Sequence, residues 1–256
     1  MKKIFLLLML LVPAMTFAGC SDGNDDPQTE IPDTPDNPGG DDNDGDEPDP
    51  VNPGNGKILI AYFSRWGNTN YPADVDASTG ASIIINNGNR RGTTEVVAGY
   101  IQAAVGGDIH LIETSAPYPV DFDDVRDLNH SEQANGTRPA LKSRIENMAQ
   151  YETVFIGYPV WATTVPQAIR SFLEAYDLKD KVIIPFFTYG ATTYLNESMQ
   201  KIYKVTPGSK HIPETLPEDL DANDITTPGR PDDAGIDMPG STNGTEGWLR
   251  RIGIIE

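Results

Sequence analysis

The chain has 256 residues, with 19 Lys and Arg against 38 Asp and Glu, a formal net charge of −19 and an isoelectric point near 4.4. This balance excludes the basic face that nucleic-acid binding requires. Cys20 is the sole cysteine, so an internal disulfide is excluded, and the folded part has no thiol nucleophile.

The first 20 residues read as a targeting segment. Lys2 and Lys3 precede an unbroken apolar run, Ile4 to Val12, too short to span a bilayer, and small residues then lead to Cys20. The end, Phe17-Ala18-Gly19-Cys20, resembles a bacterial lipobox, where the cysteine is acylated and becomes the new N-terminus. The expectation is a lipoprotein signal peptide over 1–20, lipidated at Cys20 and anchored in the cell envelope, at the outer membrane. Residues 21–56 hold 12 Asp and Glu, no Lys or Arg and almost nothing to bury, so a disordered acidic tether is expected. Acidic residues soon after Cys20 also resemble a surface-export signal of Bacteroidetes lipoproteins. The run "DDNDGDEPDP" fails as a calcium loop, because Gly40 stands where the first acidic ligand belongs before Gly45.

Residues 57–256 are long enough for one domain with a full core, and they carry 17 basic and 26 acidic residues, a net charge of −9. Lys57 to Phe63, "KILIAYF", reads as a buried parallel strand. Residues 70–92 contain "ASIIINNGNRR", an apolar strand, an Asn-Gly turn and a basic return, which predicts a hairpin. Thr94 to Val105 has helical apolar spacing and stops at Gly106-Gly107. Asp108 to Glu113 is the second strand of the main sheet, and Leu141 to Ala149 is predicted as a helix with Leu141, Ile145 and Met148 on one stripe. Thr153 to Tyr158 is the third strand, Val165 to Tyr176 a helix and Lys181 to Phe187 the fourth strand. Leu195 to Tyr203 reads as a helix, Lys210 to Glu214 contains a weak fifth strand, and Thr245 to Ile252 is a closing helix.

Strands alternating with helices imply an α/β fold, a five-stranded parallel doubly wound sheet. For strand order 2-1-3-4-5 the switch in order lies between the first and third strands, and ligands sit outside the C-terminal strand ends there. The loop after the first strand is Ser64-Arg65-Trp66-Gly67-Asn68-Thr69, rich in hydroxyls and suited to cradling a phosphate. The loop after the third is Pro159-Val160-Trp161-Ala162-Thr163-Thr164, and the loop after the fourth is Thr188-Tyr189-Gly190-Ala191-Thr192. Two aromatics over a hydroxyl-lined phosphate nest describe a site for a flat, phosphorylated ring. "GNT" at 67–69 is echoed by "GTT" at 92–94, directly before Glu95-Val96-Val97. Residues 70–92 therefore read as an insertion inside the phosphate loop, which closes late, with Thr93 capping the helix.

Here the chain resembles the flavodoxin-like family, on "ILIAYFSRWGNT", "VFIGYPVWATTVPQAIRSFLE", "VIIPFFTYGAT" and the closing "GWLRRIGII". The resemblance implies one non-covalent FMN, its phosphate in the first loop and its isoalloxazine between the second and third. Where the family commonly has Thr at the third loop position, this chain has Trp66. The cofactor residues expected on this basis are Ser64, Arg65, Trp66, Asn68, Thr69, Thr93, Thr94, Pro159, Val160, Trp161, Ala162, Thr188, Tyr189 and Gly190. No catalytic side chain of the protein's own is expected. His110, His130 and His211 lack metal-ligand spacing, and neither a Walker lysine motif nor GxGxxG occurs. The resemblance points to an electron carrier with an unnamed redox partner. An FMN-dependent NAD(P)H or quinone oxidoreductase, using the insertion and the 215–244 segment as a lid, is the alternative, and a surface binding module without flavin is the third reading.

Overall fold

Burial along the first strand alternates with period two. In β1 (Lys57–Tyr62), Leu59, Ala61 and the following Phe63 join a core on one face of the sheet, while Ile60 and Tyr62 join a core on the other. A strand buried on both faces belongs at the centre of a parallel sheet, and β1 is central. The computed structural model describes residues 57–75, 83–86, 88–162, 164–189, 195–214 and 242–256. The expected signal peptide, Cys20, the tether and Gly190 lie outside the described residues, as does most of the 215–244 segment.

After β1 come the hairpin strands β2 (Ile83–Asn86) and β3 (Asn89–Gly92), then α1 (Thr93–Val105) and β4 (Asp108–Leu111). Next follow α2 (Phe122–Asn135), β5 (Tyr151–Pro159), α3 (Gln167–Leu173) and β6 (Val182–Thr188). The described chain closes with α4 (Leu195–Val205), β7 (Lys210–His211) and α5 (Thr242–Arg251). The main sheet has the order β4-β1-β5-β6-β7 and every pairing in it is parallel, which is the expected 2-1-3-4-5 order. One face carries Val125, Ile169, Phe172, Met199 and Ile202 from α2, α3 and α4. The other carries Val97, Ile101, Trp248 and Leu249 from α1 and α5, together with Ile84 of the hairpin. The hairpin predicted inside the insertion is present, antiparallel, with Gly88 at φ 76° in its turn. Its Ile83 and Ile84 are fully buried, so the first hairpin strand is packed into the domain.

The helix expected over Leu141 to Ala149 is absent. That stretch is an extended strap ending in a single 3-10 turn at Met148–Gln150. Leu141 bridges Thr114, the Ile145 amide donates to the Tyr176 hydroxyl at 2.7 Å, and Leu141, Ile145 and Met148 still pack on the core. The apolar stripe faces inward as expected, but on an extended strap and not on a helix. The crossover helix is instead α2, whose buried residues are Val125, Asn129 and Glu132. A helix with a polar inner face gives no hydrophobic period to detect. Its ends were nonetheless marked: Asp121 accepts from the Asp123 and Asp124 amides, and Gly136 at φ 63° takes the left-handed closing position.

Candidate functional site

The end of β1 meets the start of α1. A Cβ built on Gly92 would lie 2.0 Å from Ser64 Oγ, 3.0 Å from Ser64 Cβ and 3.2 Å from Trp66 Cβ. Only glycine permits that approach, which joins the two halves of a loop separated by the insertion. Gly92 is also the N-cap of α1, in extended conformation (φ −72°, ψ 140°), and its amide donates to the Glu95 carboxylate at 3.0 Å. This corrects the expected cap: Thr93 is the first residue of the helix, 1% exposed, directly after the cap. The first-turn amides of α1 have no intrahelical partner, and the helix dipole places partial positive charge there. Glu95 would oppose an anion at this point, but Arg91 holds its carboxylate at 2.6 Å and offsets the charge.

Within the first loop the expected cofactor residues divide. Asn68 is a clamp. Its Nδ2 donates to the Ser64 and Ile112 carbonyls at 2.9 and 3.0 Å, and its Oδ1 accepts from the Thr114 amide at 2.8 Å. Both amide protons are thus used inside the protein, so the Asn68 side chain is a support for the loop and not a donor to a ligand. Arg65 is likewise turned away from the α1 start. Its Nη2 donates to the Pro119 and Val120 carbonyls, both at 2.9 Å, and its guanidinium lies 5.3 Å from the centre of the Tyr71 ring. Burial lowers its pKa. Trp66 stacks on Tyr71, with ring centres 6.2 Å apart.

Three buried polar atoms of this loop find no partner in the protein: Thr69 Oγ1, the Tyr71 hydroxyl and Arg65 Nε. Each such orphan costs about 1–3 kcal/mol. The two hydroxyls can donate to an anionic oxygen, while Arg65 Nε belongs to a guanidinium turned toward the Pro119 and Val120 carbonyls. Hydroxyls and the amides of a helix start are a donor set that fits a phosphate.

On the ring side, the loop after β5 folds into a tight turn. Trp161 and Thr164 exchange two backbone hydrogen bonds at 3.0 Å, with Ala162 between them at φ 43°. A non-glycine residue at positive φ costs energy and persists where its surroundings hold it. Val160 donates to the Thr188 carbonyl at 2.9 Å, tying this loop to the end of β6, and Pro159 is the buried last residue of β5. Trp161 is half-buried and stands edge-on to Phe63 and Tyr118, at 5.3 and 5.2 Å between ring centres. Among the described residues of the loops after β5 and β6, it is the aromatic left part-exposed. Tyr189, expected over the ring, is 1% exposed and packs edge-on against Phe187 in the core. A side chain already enclosed by protein offers no face for stacking. Thr94 and Thr188 bond to each other, Oγ1 to Oγ1 at 3.0 Å, and are fully buried. They tie α1 to the sheet behind the site.

Residues 82–224, more than half of the chain, match the flavodoxin family. The chain belongs to the flavodoxin family. A crystal structure of a Bacteroides eggerthii protein described as a flavoprotein is 28% identical, with a TM-score of 0.51, over 78% of this chain and 99% of that one. A Lactobacillus acidophilus flavoprotein crystallised in complex with FMN is 20% identical, with a TM-score of 0.41, over 61% of this chain and 90% of that one. No protein of curated function matches.

One feature of this flavodoxin had no sequence signal strong enough to be found. Tyr118, in the segment before α2, stands between Phe63 and Trp161 and donates from its hydroxyl to Glu132 Oε2 at 3.3 Å. Glu132 is 7% exposed. Burial raises its pKa, and the Tyr118 hydrogen bond lowers it in part. Nearby on the same helix, Asn129 is 1% exposed with both polar side-chain atoms unpaired. For an acid whose folded pKa lies above its unfolded value, the folded state binds the proton more tightly. The carboxylate therefore destabilises the fold at pH above its folded pKa, and that penalty disappears as pH falls below its unfolded value. Glu132→Gln keeps an acceptor for Tyr118 and removes the charge. Its Tm is expected to exceed that of wild type at pH 8, with the gap closing by pH 4. A Tm below wild type at pH 8 would show that the carboxylate stabilises the fold.

Proposed function

We propose that this flavodoxin binds one FMN non-covalently and works as an electron carrier in the cell envelope, tethered to the membrane through a lipid on Cys20. The observation that carries the reading is the contact of Ser64 with Gly92, which sets a strand end against a helix start at the switch point of a parallel sheet. FMN, when bound, supplies the redox chemistry. The protein's own groups do the rest. The α1 amides and the Ser64, Thr69 and Thr93 hydroxyls hold the phosphate. Trp161 covers the ring, and the Trp161–Thr164 turn, held at Val160 by the end of β6, keeps it in place. Asn68 fixes the first loop against residues 112–114. The buried Glu132 carboxyl keeps a proton to higher pH than an exposed one, at the Tyr118 hydroxyl beside Trp161.

The net charge of −9 on 57–256 opposes accumulation of further negative charge at the site. That favours passage of electrons one at a time. Purified protein is expected to take up FMN with a shifted flavin spectrum, and a potentiometric titration of the complex is expected to resolve two one-electron steps. A single two-electron step would assign the protein to the NAD(P)H or quinone oxidoreductase alternative. A protein that ignores added FMN would be a binding module that has lost its flavin.

A further inference from the structure

The 138–144 strap and the C-terminal end of α3 line a solvent-open depression of about 400 Å3. Arg138, Arg144, Glu174, Ser171, Leu141 and Pro139 are among its walls. Arg138 grips Glu174 with two bonds, Nε to Oε2 at 2.7 Å and Nη2 to Oε1 at 2.9 Å. Its Nη1 is spent on the Gly136 and Thr137 carbonyls and on Gln167 Oε1. Arg138 is therefore fixed in place. Arg170 draws on the same carboxylate, Nη2 to Oε1 at 3.0 Å. Arg144, the second cation of the wall, makes no ion pair or side-chain hydrogen bond among the described residues.

Two guanidinium groups, Arg138 and Arg170, thus share one carboxylate, and a third, Arg144, stands on the same wall without a carboxylate, in a protein whose net charge is −19. An excess of two positive charges is an unusual local balance for such a chain. Like charges gathered at one place repel, and an anion between them relieves that repulsion. Guanidinium forks match the planar or trigonal oxygen pairs of carboxylate and phosphate. The remaining wall is apolar, through Leu141, Pro139, Ala140 and Ala175. A charged head with an apolar body suits both parts of the wall.

We propose that this depression is a binding site for a small organic anion, whose phosphate or carboxylate group pairs with Arg144 and the outer edge of the Arg138–Glu174–Arg170 cluster while its apolar body lies against Leu141 and Pro139. The site is separate from the proposed FMN loops and does not depend on them. The test is calorimetric titration of the full chain with phenyl phosphate, benzoate, inorganic phosphate and phenol, repeated in the presence of excess FMN so that phosphate binding at the first loop is blocked or shown to be absent. Phenyl phosphate or benzoate is expected to bind at one site, more tightly than inorganic phosphate and far more tightly than phenol. Arg144→Ala is expected to weaken that binding at least tenfold with an unchanged Tm, and Arg144→Lys to restore part of it. Absence of saturable binding by both organic anions, equal binding by Arg144→Ala, or phenol binding as tightly as phenyl phosphate would each overturn the assignment. Loss of FMN binding with retained Arg144-dependent binding would fault the flavin reading and leave this one standing.

Discussion

Asn68→Ala is expected to lower the stability of the protein by about 3–5 kcal/mol, the sum of a few net hydrogen bonds and the cost of leaving their partners buried and unpaired. The side chain is 3% exposed and joins three parts of the chain. Removing it strands the Ser64 and Ile112 carbonyls and the Thr114 amide. The Thr114 hydroxyl suffers less, because its one proton has the Ala116 carbonyl at 2.8 Å as an alternative to Asn68 Oδ1 at 3.1 Å. Asn68→Asp is expected to be no milder, since it turns a carboxylate oxygen toward two carbonyls. Urea unfolding with an unchanged m-value measures the loss directly. A change under about 1 kcal/mol, a single net hydrogen bond, would mean that the loop is held by its backbone alone.

The second large effect is expected at Gly92. Its φ of −72° suits any residue, so Gly92→Ala brings no backbone strain. What it brings is a methyl group 2.0 Å from Ser64 Oγ and 3.2 Å from Trp66 Cβ. Overpacking of that kind costs about 1–3 kcal/mol, and it moves the Ser64 hydroxyl away from the start of α1. FMN affinity is expected to fall at least tenfold, about 1.4 kcal/mol. Adding Ser64→Gly to Gly92→Ala removes the clash with Ser64, leaving the 3.2 Å approach to Trp66 Cβ, and is expected to restore part of the stability without restoring FMN affinity. Restored affinity in the double variant would show that Ser64 takes no part in binding.

The sheet was legible because its strands are short apolar runs bounded by turn residues, and their alternation with helices leaves few topologies. The hairpin inside 70–92 was legible from its Asn-Gly turn, and the repeated "GNT" and "GTT" point to the same place as the close approach of Gly92 to Ser64. The residue that makes the closure possible, Gly92, was read only as part of that echo. Its role comes from a contact with Ser64, 28 positions earlier, which no local pattern encodes. The same limit explains Asn68 and Tyr189. A polar residue in a phosphate loop and an aromatic residue at a strand end have the composition of ligand contacts. Whether each faces a ligand or the protein is decided by the fold: for Asn68 by Thr114, 46 positions away, and for Tyr189 by its enclosure in the core. Helix α2 escaped because its inner face is polar, with Asn129 and Glu132 where a hydrophobic period would have announced it.

The central claim is that the phosphate is held chiefly where α1 begins, after the insertion, with Thr69 of the first "GNT" contributing less. Thr93→Pro tests it most directly. Proline is tolerated at the first helical position, and the extended conformation of Gly92 is the one that a following proline requires. The substitution therefore removes one first-turn amide and the Thr93 hydroxyl while leaving the helix start intact. The measurement is the dissociation constant of FMN and of riboflavin, which lacks the phosphate, for wild type, Thr93→Pro and Thr69→Ala. The expected result is that Thr93→Pro weakens FMN at least tenfold, about 1.4 kcal/mol, and leaves riboflavin nearly unchanged, with a smaller effect from Thr69→Ala. If Thr93→Pro keeps the preference for FMN over riboflavin and Thr69→Ala abolishes it, the loop closes early and the account is wrong.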